Sequence, residues 1–418
     1  MKAAWAAGVD PNECAVMAPK VLLVTTVVWP IAARLAGTFA KLGWRVEIVA
    51  PRASASRHTR FADTVHGYTG LAPMLSLRRA VRRADADLIV ACDDRAVALT
   101  ARLDAPVVGR SLGAPENYDL LMHRARLIAV AEAAGIRVPR TVEIESEDDL
   151  QRALRETGLP AVIKADGSWG GDGIAIVHTR EAAREAFCKI SARISPWRTL
   201  ARAVRRNDAH HLAAAFAAQP QLSLQAHIPG TPATAAFACW RGEVLAAIHA
   251  DVVAGGASGG PASVVRIVQD DAMDAAACKL ARRFGLSGLH GLDFIRDREG
   301  QVHLIEANPR ATPIAALAMG EARDLPAALA RASGHASFAP AHAIATDLVA
   351  LFPNEWLRDP SSAWLCKAHH DVPWDDPPLL RACLAEPQRK HDLPGLRLLA
   401  GIISSNNKVL AGAGARPC

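Results

Sequence analysis

The first part of the chain alternates short apolar runs with stretches of helical spacing. Residues 20–26 form an apolar run, residues 32–42 carry apolar positions at helical spacing, and residues 45–50 are apolar again. Residues 87–91 and 106–108 repeat the apolar pattern after helical stretches. Strands that alternate with helices are typical of a parallel sheet covered by helices. The pattern therefore predicts an α/β N-terminal domain built on a parallel sheet, and no Gly-x-Gly-x-x-Gly follows its first strand to indicate dinucleotide binding.

The pattern changes in the second quarter of the chain. Residues 118–134 have helical spacing, and residues 150–156 form another helical segment. Two short apolar runs, 161–164 and 174–177, flank a glycine-rich loop, and they predict a second domain of mixed α+β type. We predict four parts along the chain: an N-terminal extension (1–18), an α/β domain (19–113), the α+β domain (114–345) and a C-terminal appendage (346–418) that is rich in Pro and Trp.

Composition and charge narrow the class of protein. The chain is 50% hydrophobic and 22% charged, a balance that argues against disorder. No run of 18 apolar residues predicts a membrane-spanning helix, and Asp10 and Glu13 interrupt the start of the chain too early for a signal peptide. The eight cysteines lie apart with no Cys-x-x-Cys pair, so we expect no disulfide framework and a cytoplasmic location. The net charge of +6 favours anionic partners but does not choose among nucleotides, acidic metabolites and nucleic acid.

A glycine-rich loop follows the run 161–164. Four glycines lie among residues 167–173, so backbone N–H groups can turn inward towards an anion. Lys164 ends the incoming strand and is the only lysine between Lys41 and Lys189, and its ammonium can reach the same place. The loop lacks the Gly-Lys-Ser/Thr ending of a Walker A loop. An anion site and a flexible hairpin loop with an incidental lysine both remain open.

Carboxylates interrupt two apolar runs near residue 300. If residues 298–301 form a hairpin loop, Asp293 stands opposite Glu306, and Asn308 shares their face. The residues predicted to point the other way, into a core, are Leu292, Phe294, Ile305 and Ala307. Facing carboxylates repel each other unless a positive charge lies between them, and oxygen ligands of this type suit Mg²⁺. Arg310 lies within reach of charge that develops beside such a metal. The alternative interpretation is a solvent-facing acidic hairpin.

The loop with Lys164 and the later Asp…Glu-x-Asn-x-Arg pattern, in this order, resemble the ATP-grasp superfamily over roughly residues 115–330. The resemblance implies two α+β lobes with ATP between them, after a preceding α/β domain. It implies that Lys164 contacts the nucleotide phosphates and that Arg310 lies near the transferred phosphate. It also implies that the ligands of Mg²⁺, with Mn²⁺ as an alternative, are Asp293, Glu306 and Asn308. The loop residues assigned to the nucleotide are Gly167, Ser168, Trp169, Gly170 and Gly171.

Further nucleotide contacts follow from the same resemblance. The family usually has a second phosphate-contacting lysine in the preceding helix, where this chain has Arg124, with Arg126 as a nearby rival. The inter-lobe segment that meets adenine matches a stretch with Gln225 and Ile228, which we assign to the nucleotide. The glutamate that commonly binds ribose is absent, because Thr231-Pro232-Ala233 occupies its place. A solvated helix face for the arginines and an ordinary strand for Gln225 are the alternatives.

Two weaker features complete the candidates. The glycine-rich residues 255–261 predict a lid over the phosphates, with Arg266 beyond it as an acyl-phosphate contact, although a plain surface loop is equally compatible. The basic run 193–206 suggests either nucleic-acid binding or a solvated basic helix. We favour the helix, because an ATP-grasp lobe would carry a variable insertion at this place.

Together these features predict an ATP- and magnesium-dependent, ADP-forming ligase that joins a carboxylate to an amine or similar nucleophile through an acyl phosphate. The expected partners are small-molecule carboxylates and amines, without a membrane or nucleic acid, and a homodimer is compatible with the sequence. One alternative is a small-molecule phosphotransferase or a non-ligase ATP-binding protein on the same scaffold. Another is a nucleic-acid binder that uses residues 193–206. The sequence identifies neither substrate.

Overall fold

The structure is a computed structural model that describes residues 18–167, 173–191, 221–255, 260–320, 323–335 and 343–391, with side chains described as far as residue 385. Within these ranges no helix is long and apolar enough to cross a membrane. The six cysteines in the same ranges are free thiols.

Four parallel strands form the N-terminal sheet. They are β1 (Lys20–Val24), β2 (Arg45–Pro51), β3 (Thr64–Tyr68) and β4 (Leu88–Ala91), and their order in the sheet is β3-β2-β1-β4. The helices of this region are α1 (Ile31–Lys41), α2 (Pro73–Ala84), α3 (Asp94–Ala101) and α4 (Pro106–Leu112). Val21 and Leu23 pack in the core with α1, whereas Leu22 and Val24 enter the core with α2 and α3. A strand buried on both faces has a continuous apolar sequence, and the predicted parallel sheet is confirmed.

Two local predictions in this region are wrong. Residues 106–108, predicted as a strand, begin the helix α4, because Pro106 at the first helical position has the fixed φ and the missing N–H that suit a helix start. The strand β3 has no counterpart in the predicted pattern. Its residues are largely half-buried or exposed at the sheet edge, so the sequence lacks the apolar run that marks β1 and β2.

A small lobe follows, with one antiparallel sheet. Its strands are β5 (Thr141–Ile144), β6 (Ala161–Ala165), β7 (Ile174–Val177) and β8 (Leu222–Ala226), in the order β5-β8-β6-β7. Its helices, with the two that lead into it, are α5 (Tyr118–Met122), α6 (Arg124–Ala133), α7 (Glu147–Thr157) and α8 (Arg180–Ser191). The single helix predicted over residues 118–134 is interrupted at His123, whose extended backbone separates α5 from α6. A capping box between Ser146 and Asp149 starts α7, which begins three residues before the helical segment predicted over residues 150–156.

The remaining strands form the large sheet. They are β9 (Gly230–Trp240), β10 (Glu243–Gly255), β11 (Ala262–Val268), β12 (Gly288–Asp297), β13 (Val302–Asn308), β14 (Leu348–Ala350) and β15 (His369–His370). Their order is β13-β12-β9-β10-β11-β14-β15, and all neighbours are antiparallel except β14 and β15. The helices here are α9 (Asp271–Phe284), α10 (Leu325–Ala332), α11 (Asn354–Arg358), α12 (Trp364–Lys367) and α13 (Pro377–His391). Short 3₁₀ helices are Ala55–His58, Pro115–Asn117 and Pro313–Ala316. The α/β domain followed by an α+β region with two sheets matches the predicted fold class.

The N-terminal sheet and the large sheet are packed together through shared cores. Leu35 of α1 lies in the same core as Ile248 of the large sheet, and α10 contributes Leu325 to it. At the end of β4, the N–H of Ala311 donates to the carbonyl of Ala91 at 3.1 Å. The carboxyl end of β4 therefore lies beside the residues that follow β13.

Candidate active site

The hairpin of β12 and β13 carries the predicted carboxylates in the predicted pairing. Asp293 stands opposite Glu306, although the pair next to the turn is Arg296–Val302, one residue short of the pair expected from a four-residue loop. A β-bulge at Ile305 then restores the register before Asp293. Bulges of this kind re-aim side chains beside active sites.

The bulge also changes which residue enters the core. Leu304 is fully buried in the core with Leu292 and Phe294, whereas Ile305 is only partly buried and belongs to no core cluster of the described residues. The prediction that Ile305 points into the core is therefore wrong, because the extra residue shifts the alternation of β13 by one position.

A chain of hydrogen bonds fixes the predicted metal ligands. Asn308 donates from Nδ2 to Oδ2 of Asp293 at 2.8 Å, and it accepts at Oδ1 from Nη2 of Arg310 at 3.0 Å. On the other side, Thr234 of β9 donates from Oγ1 to Oδ1 of Asp293 at 2.9 Å. Both oxygens of the Asp293 carboxylate thus have a fixed donor, and the structure brings Arg310 next to Asn308 as the sequence predicts.

Lys164 lies in the small lobe, on the side of its sheet that faces away from the core of that lobe. It pairs across β6 and β8 with Ser223, and the two alternate with Ile163 and Leu224, which lie in the core of that lobe. The Lys164 side chain therefore points away from that core. Burial, followed by the charge of Arg124, lowers the pKa of Lys164 to about 8, although the Glu306 and Asp293 carboxylates act in the opposite direction. These charges indicate that the ammonium lies near the carboxylates of the hairpin.

We call the predicted metal ligands together with Lys164 and Arg310 the cluster, and Arg124 is the arginine that faces it. It is the first residue of α6 and is buried; Nη2 lies 2.7 Å from Oε1 of Glu306, and Nη1 donates to the carbonyl of Ala165. Arg126 points outward, with 58% of its side chain exposed, and lies 3.6 Å from Glu143. The structure therefore brings Arg124 rather than Arg126 to the predicted metal ligands.

The cluster offers a cation two carboxylates and one amide. Burial, followed by the nearby charge of Glu306, raises the pKa of Asp293, which is the expected effect of two carboxylates that share a partly desolvated place. No group of three His, Cys, Asp or Glu suited to a metal occurs in the described part of the chain. The donor set fits Mg²⁺, which usually keeps waters and takes further oxygens from phosphates.

The structure describes some of the predicted nucleotide contacts, whereas others lie outside the described residues. Gln225 is buried within the small-lobe sheet, where Nε2 donates to Oγ1 of Thr141 at 3.0 Å. Ile228 is half-buried in the segment between β8 and β9, which joins the two lobes. Gly167 is exposed and has a φ of 68°, a conformation that favours glycine. Residues 168–171, the centre of the lid (256–259) and the basic run 193–206 lie outside the described residues.

Arg266 is not brought to the cluster. Ile267, Thr234 and Asp293 lie in one line of cross-strand partners, so their side chains share a face of the sheet. Arg266 is next to Ile267 on β11, and its side chain therefore points to the opposite face. There Nη1 forms an exposed ion pair with Oδ2 of Asp347 at 2.7 Å. The expectation that Arg266 contacts an acyl phosphate is therefore corrected: β9 and β10 lie between its strand and β12, and its side chain is on the opposite face of the sheet from Asp293.

Two residues of the cluster are missing from the sequence-based prediction. Thr234 holds Asp293, and Asp94 at the start of α3 accepts from Nε of Arg310 at 3.0 Å. Neither lies in a local motif, because each comes from an element far away in sequence.

A cavity of about 550 Å³ against β2, β3 and α2 shares no residue with the cluster.

Comparison with known proteins gives a sequence match over part of the chain. Residues 123–196 match the family model described as the ATP-binding domain of the carbamoyl-phosphate synthase L chain. The large chain of carbamoyl phosphate synthase from Micrococcus luteus is 35% identical over 77 residues, a stretch that is 18% of this chain and 7% of that protein. The match thus spans a small part of that curated relative.

Solved structures resemble most of the chain. The biotin carboxylase domain of 2-oxoglutarate carboxylase from Hydrogenobacter thermophilus, in complex with MgADP, ADP and bicarbonate, has a TM-score of 0.55 and 16% identity, covering 78% of this chain and 71% of that chain. N5-carboxyaminoimidazole ribonucleotide synthetase from Thermus thermophilus has a TM-score of 0.56 and 15% identity, covering 76% and 79% respectively. Biotin carboxylase from Campylobacter jejuni, in complex with a nucleotide, has a TM-score of 0.55 and 16% identity, covering 76% and 71%. The resemblance inferred from the motifs is therefore confirmed, and the chain has the fold of the ATP-grasp superfamily.

Proposed function

We propose that this protein is an ATP- and Mg²⁺-dependent ligase that activates a carboxylate as an acyl phosphate and transfers the acyl group to an amine or similar nucleophile, releasing ADP. The observation that supports this most is the convergence of Lys164 and Arg124 on the carboxylates of Asp293 and Glu306. Cations that can hold phosphates thus face oxygens that can hold a metal, and phosphoryl transfer needs both.

The proposed chemistry requires positioning and charge neutralisation. A carboxylate oxygen of the substrate attacks the γ-phosphate, ADP leaves, and the nucleophile then displaces phosphate from the acyl phosphate. Lys164 and Arg124 hold the phosphate oxygens, and Arg310 offers N–H groups to the transferred phosphate. Asp293, Glu306 and Asn308 would hold Mg²⁺, which when bound neutralises charge on the phosphate oxygens. Asn308 is kept in one orientation by Asp293 and Arg310.

The substrate class belongs to the same proposal. The biotin carboxylase domain from Hydrogenobacter is in complex with bicarbonate as well as with MgADP. We include bicarbonate as the first carboxylate to test for this chain, with amino acids and other small carboxylates after it. A cytoplasmic location, a homodimer and the predicted domain boundaries at residues 18, 113 and 345 also remain proposals.

Carboxylate-stimulated release of ADP from MgATP tests the function. Purified protein is incubated with MgATP and each carboxylate, with and without an amine mixture, and the product mass is measured. An amide or carbamate product supports ligation, whereas a phosphorylated product supports the phosphotransferase alternative. E306A should abolish turnover with its fold intact, and K164A should weaken ATP binding. The control is E299Q, in the exposed turn of the same hairpin. Full turnover by E306A would contradict the metal assignment.

A further inference from the structure

The N-terminal domain contributes one charged side chain to the cluster. Asp94 is the first residue of α3, which follows β4 directly, and its Oδ1 accepts from Nε of Arg310 at 3.0 Å. The side chain of Arg310 is 12% exposed and that of Asp94 is 40% exposed. The contact joins residues 216 positions apart, across the packed boundary between the N-terminal sheet and the large sheet.

The side-chain cap of α3 is made by Asp93 and not by Asp94. Asp93 is the residue that caps α3, because its Oδ1 accepts from the N–H of Ala96 at 2.9 Å. Asp93 also accepts from the N–H and the hydroxyl of Thr26 at 2.6 and 2.7 Å, which ties the helix start to the end of β1. Within the described ranges, Arg310 is the hydrogen-bond partner that the structure gives to the Asp94 carboxylate.

The hydrogen bonds of Arg310 determine which N–H groups of its guanidinium can still bind a substrate. A guanidinium has five N–H groups. The Nε–H donates to Asp94, one N–H of Nη2 donates to Asn308 at 3.0 Å, and one N–H of Nη1 donates to the carbonyl of Ala311 at 3.3 Å. Among the contacts with described residues, three of the five N–H groups are thus occupied, and one N–H on each terminal nitrogen remains for an oxygen of the substrate. Without Asp94, the plane of the guanidinium would be fixed by neutral acceptors alone.

We propose that Asp94 is a positioning residue of the active site, which fixes the Arg310 guanidinium so that its two remaining N–H groups face the transferred phosphate or the carboxylate. The N-terminal domain is then part of the catalytic centre rather than only a neighbour of it. This inference rests on the proposed function for the role of Arg310, whereas the contact between Asp94 and Arg310 can be tested without any activity.

The first test measures the freedom of Arg310 directly. Wild type, D94N and D94E are treated with phenylglyoxal, which modifies arginine, and the modified fraction of the peptide with Arg310 is followed by mass spectrometry, with R310Q identifying that peptide. We expect D94N to raise the modification rate about threefold to tenfold, because a charge-assisted hydrogen bond is lost, and D94E to stay near wild type. The matched control is D375N, which removes the same charge from the exposed ion pair with Lys41. Equal rates in wild type and D94N overturn the inference.

The second test measures coupling through Arg310. With MgATP and bicarbonate as probes, D94N should lower kcat for ADP release about tenfold and leave the Kd of MgATP within twofold, because Arg310 acts on the transferred group. In the R310Q background, D94N should cause no further loss, whereas losses that multiply would show that Asp94 acts elsewhere and overturn the inference. D94S, whose residue also suits a helix start, replaces D94N if that variant does not fold. A wild type that binds no MgATP refutes the proposed function, and the modification rates still decide the role of Asp94.

Discussion

Arg124 joins the two lobes through Glu306. Its Nη2 lies 2.7 Å from Oε1 of Glu306 on the large sheet, while its Nη1 donates to the carbonyl of Ala165 at the end of β6 in the small lobe. The planar fork of an arginine can make both contacts at once, which the compact ammonium of a lysine would do less well. Where the ATP-grasp resemblance expects a lysine, Arg124 thus forms a bridge between the two lobes beside the proposed nucleotide site.

Removing this bridge should weaken nucleotide binding. We expect R124A to raise the Kd of MgADP about tenfold or more, because a buried charge-assisted contact with phosphate is lost. Calorimetric titration of MgADP measures the change. R126A is the matched control, since Arg126 lies two positions away and points to solvent, and it should stay within twofold of wild type. Equal effects of the two substitutions would remove Arg124 from the site.

The affinity for nucleotide should depend on pH through Lys164. Burial and the charge of Arg124 lower the pKa of this lysine to about 8 from its usual 10.5. As the pH rises through 8, the free protein loses the positive charge that the phosphates require. We expect the Kd of MgADP to increase between pH 7 and pH 9 in wild type.

Two variants separate Lys164 from other titrating groups. K164R keeps its charge throughout this range, so its pH dependence should be flatter. K164M has no charge at either pH and should bind weakly and with little change between them. A wild-type profile that K164M reproduces would exclude Lys164 as the titrating group.

Thr234 should control the affinity for the metal without being a ligand itself. Its hydroxyl holds Oδ1 of Asp293 at 2.9 Å, and partners that orient a ligand typically change metal affinity tenfold to a hundredfold. We expect T234V, which keeps the shape and removes the hydroxyl, to raise the Mg²⁺ concentration needed for half-maximal ADP binding about tenfold. T231V is the control, because Thr231 lies on the same strand and is exposed. An unchanged Mg²⁺ requirement in T234V would show that Asp293 needs no such support.

Features that depend on a local pattern of apolar and polar residues can be predicted well from the sequence. The strand β1 is recognisable because it is buried on both faces, and the pairing of Asp293 with Glu306 is recognisable because carboxylates interrupt apolar strands. Even there, two local deviations cancel, since the shorter pairing at the turn is offset by the bulge at Ile305. Period-two reasoning cannot place a bulge, so it assigns Ile305 rather than Leu304 to the core.

Contacts between distant elements leave no such pattern. Thr234 reaches Asp293 because β9 lies beside β12, and Asp94 reaches Arg310 because two domains share a boundary. Arg266 shows the opposite case, since its place after a glycine-rich segment suggests the site, whereas the register of β11 turns it to the other face. The face of the sheet to which a side chain points depends on the register of its strand, and the sequence does not determine that register when the connecting loop is long.

Glu355 should hold α11, which lies between β14 and β15 in the chain, against the large sheet. This glutamate of α11 is fully buried, and it accepts from Ser263 of β11 at 2.7 Å, from Arg358 at 2.7 Å and from Ser362. The Arg358 contact is the largest influence, and with the serine hydroxyls it outweighs burial and lowers the pKa of Glu355 to about 2 from 4.5. The ionised form therefore ties α11 to the large sheet.

The sign of this shift fixes how stability depends on pH. An acid whose pKa is depressed in the folded state stabilises the fold above its unfolded pKa, and the contribution is lost as the pH falls through the folded value. We expect E355Q to lower the free energy of unfolding by about 2 kcal/mol at pH 7, with a difference from wild type that shrinks between pH 4.5 and pH 2.5. Urea unfolding at a series of pH values measures it, and E299Q, in the exposed turn of β12 and β13, should show no difference. A difference that stays constant down to pH 2.5 would mean that Glu355 acts through its shape rather than through its charge.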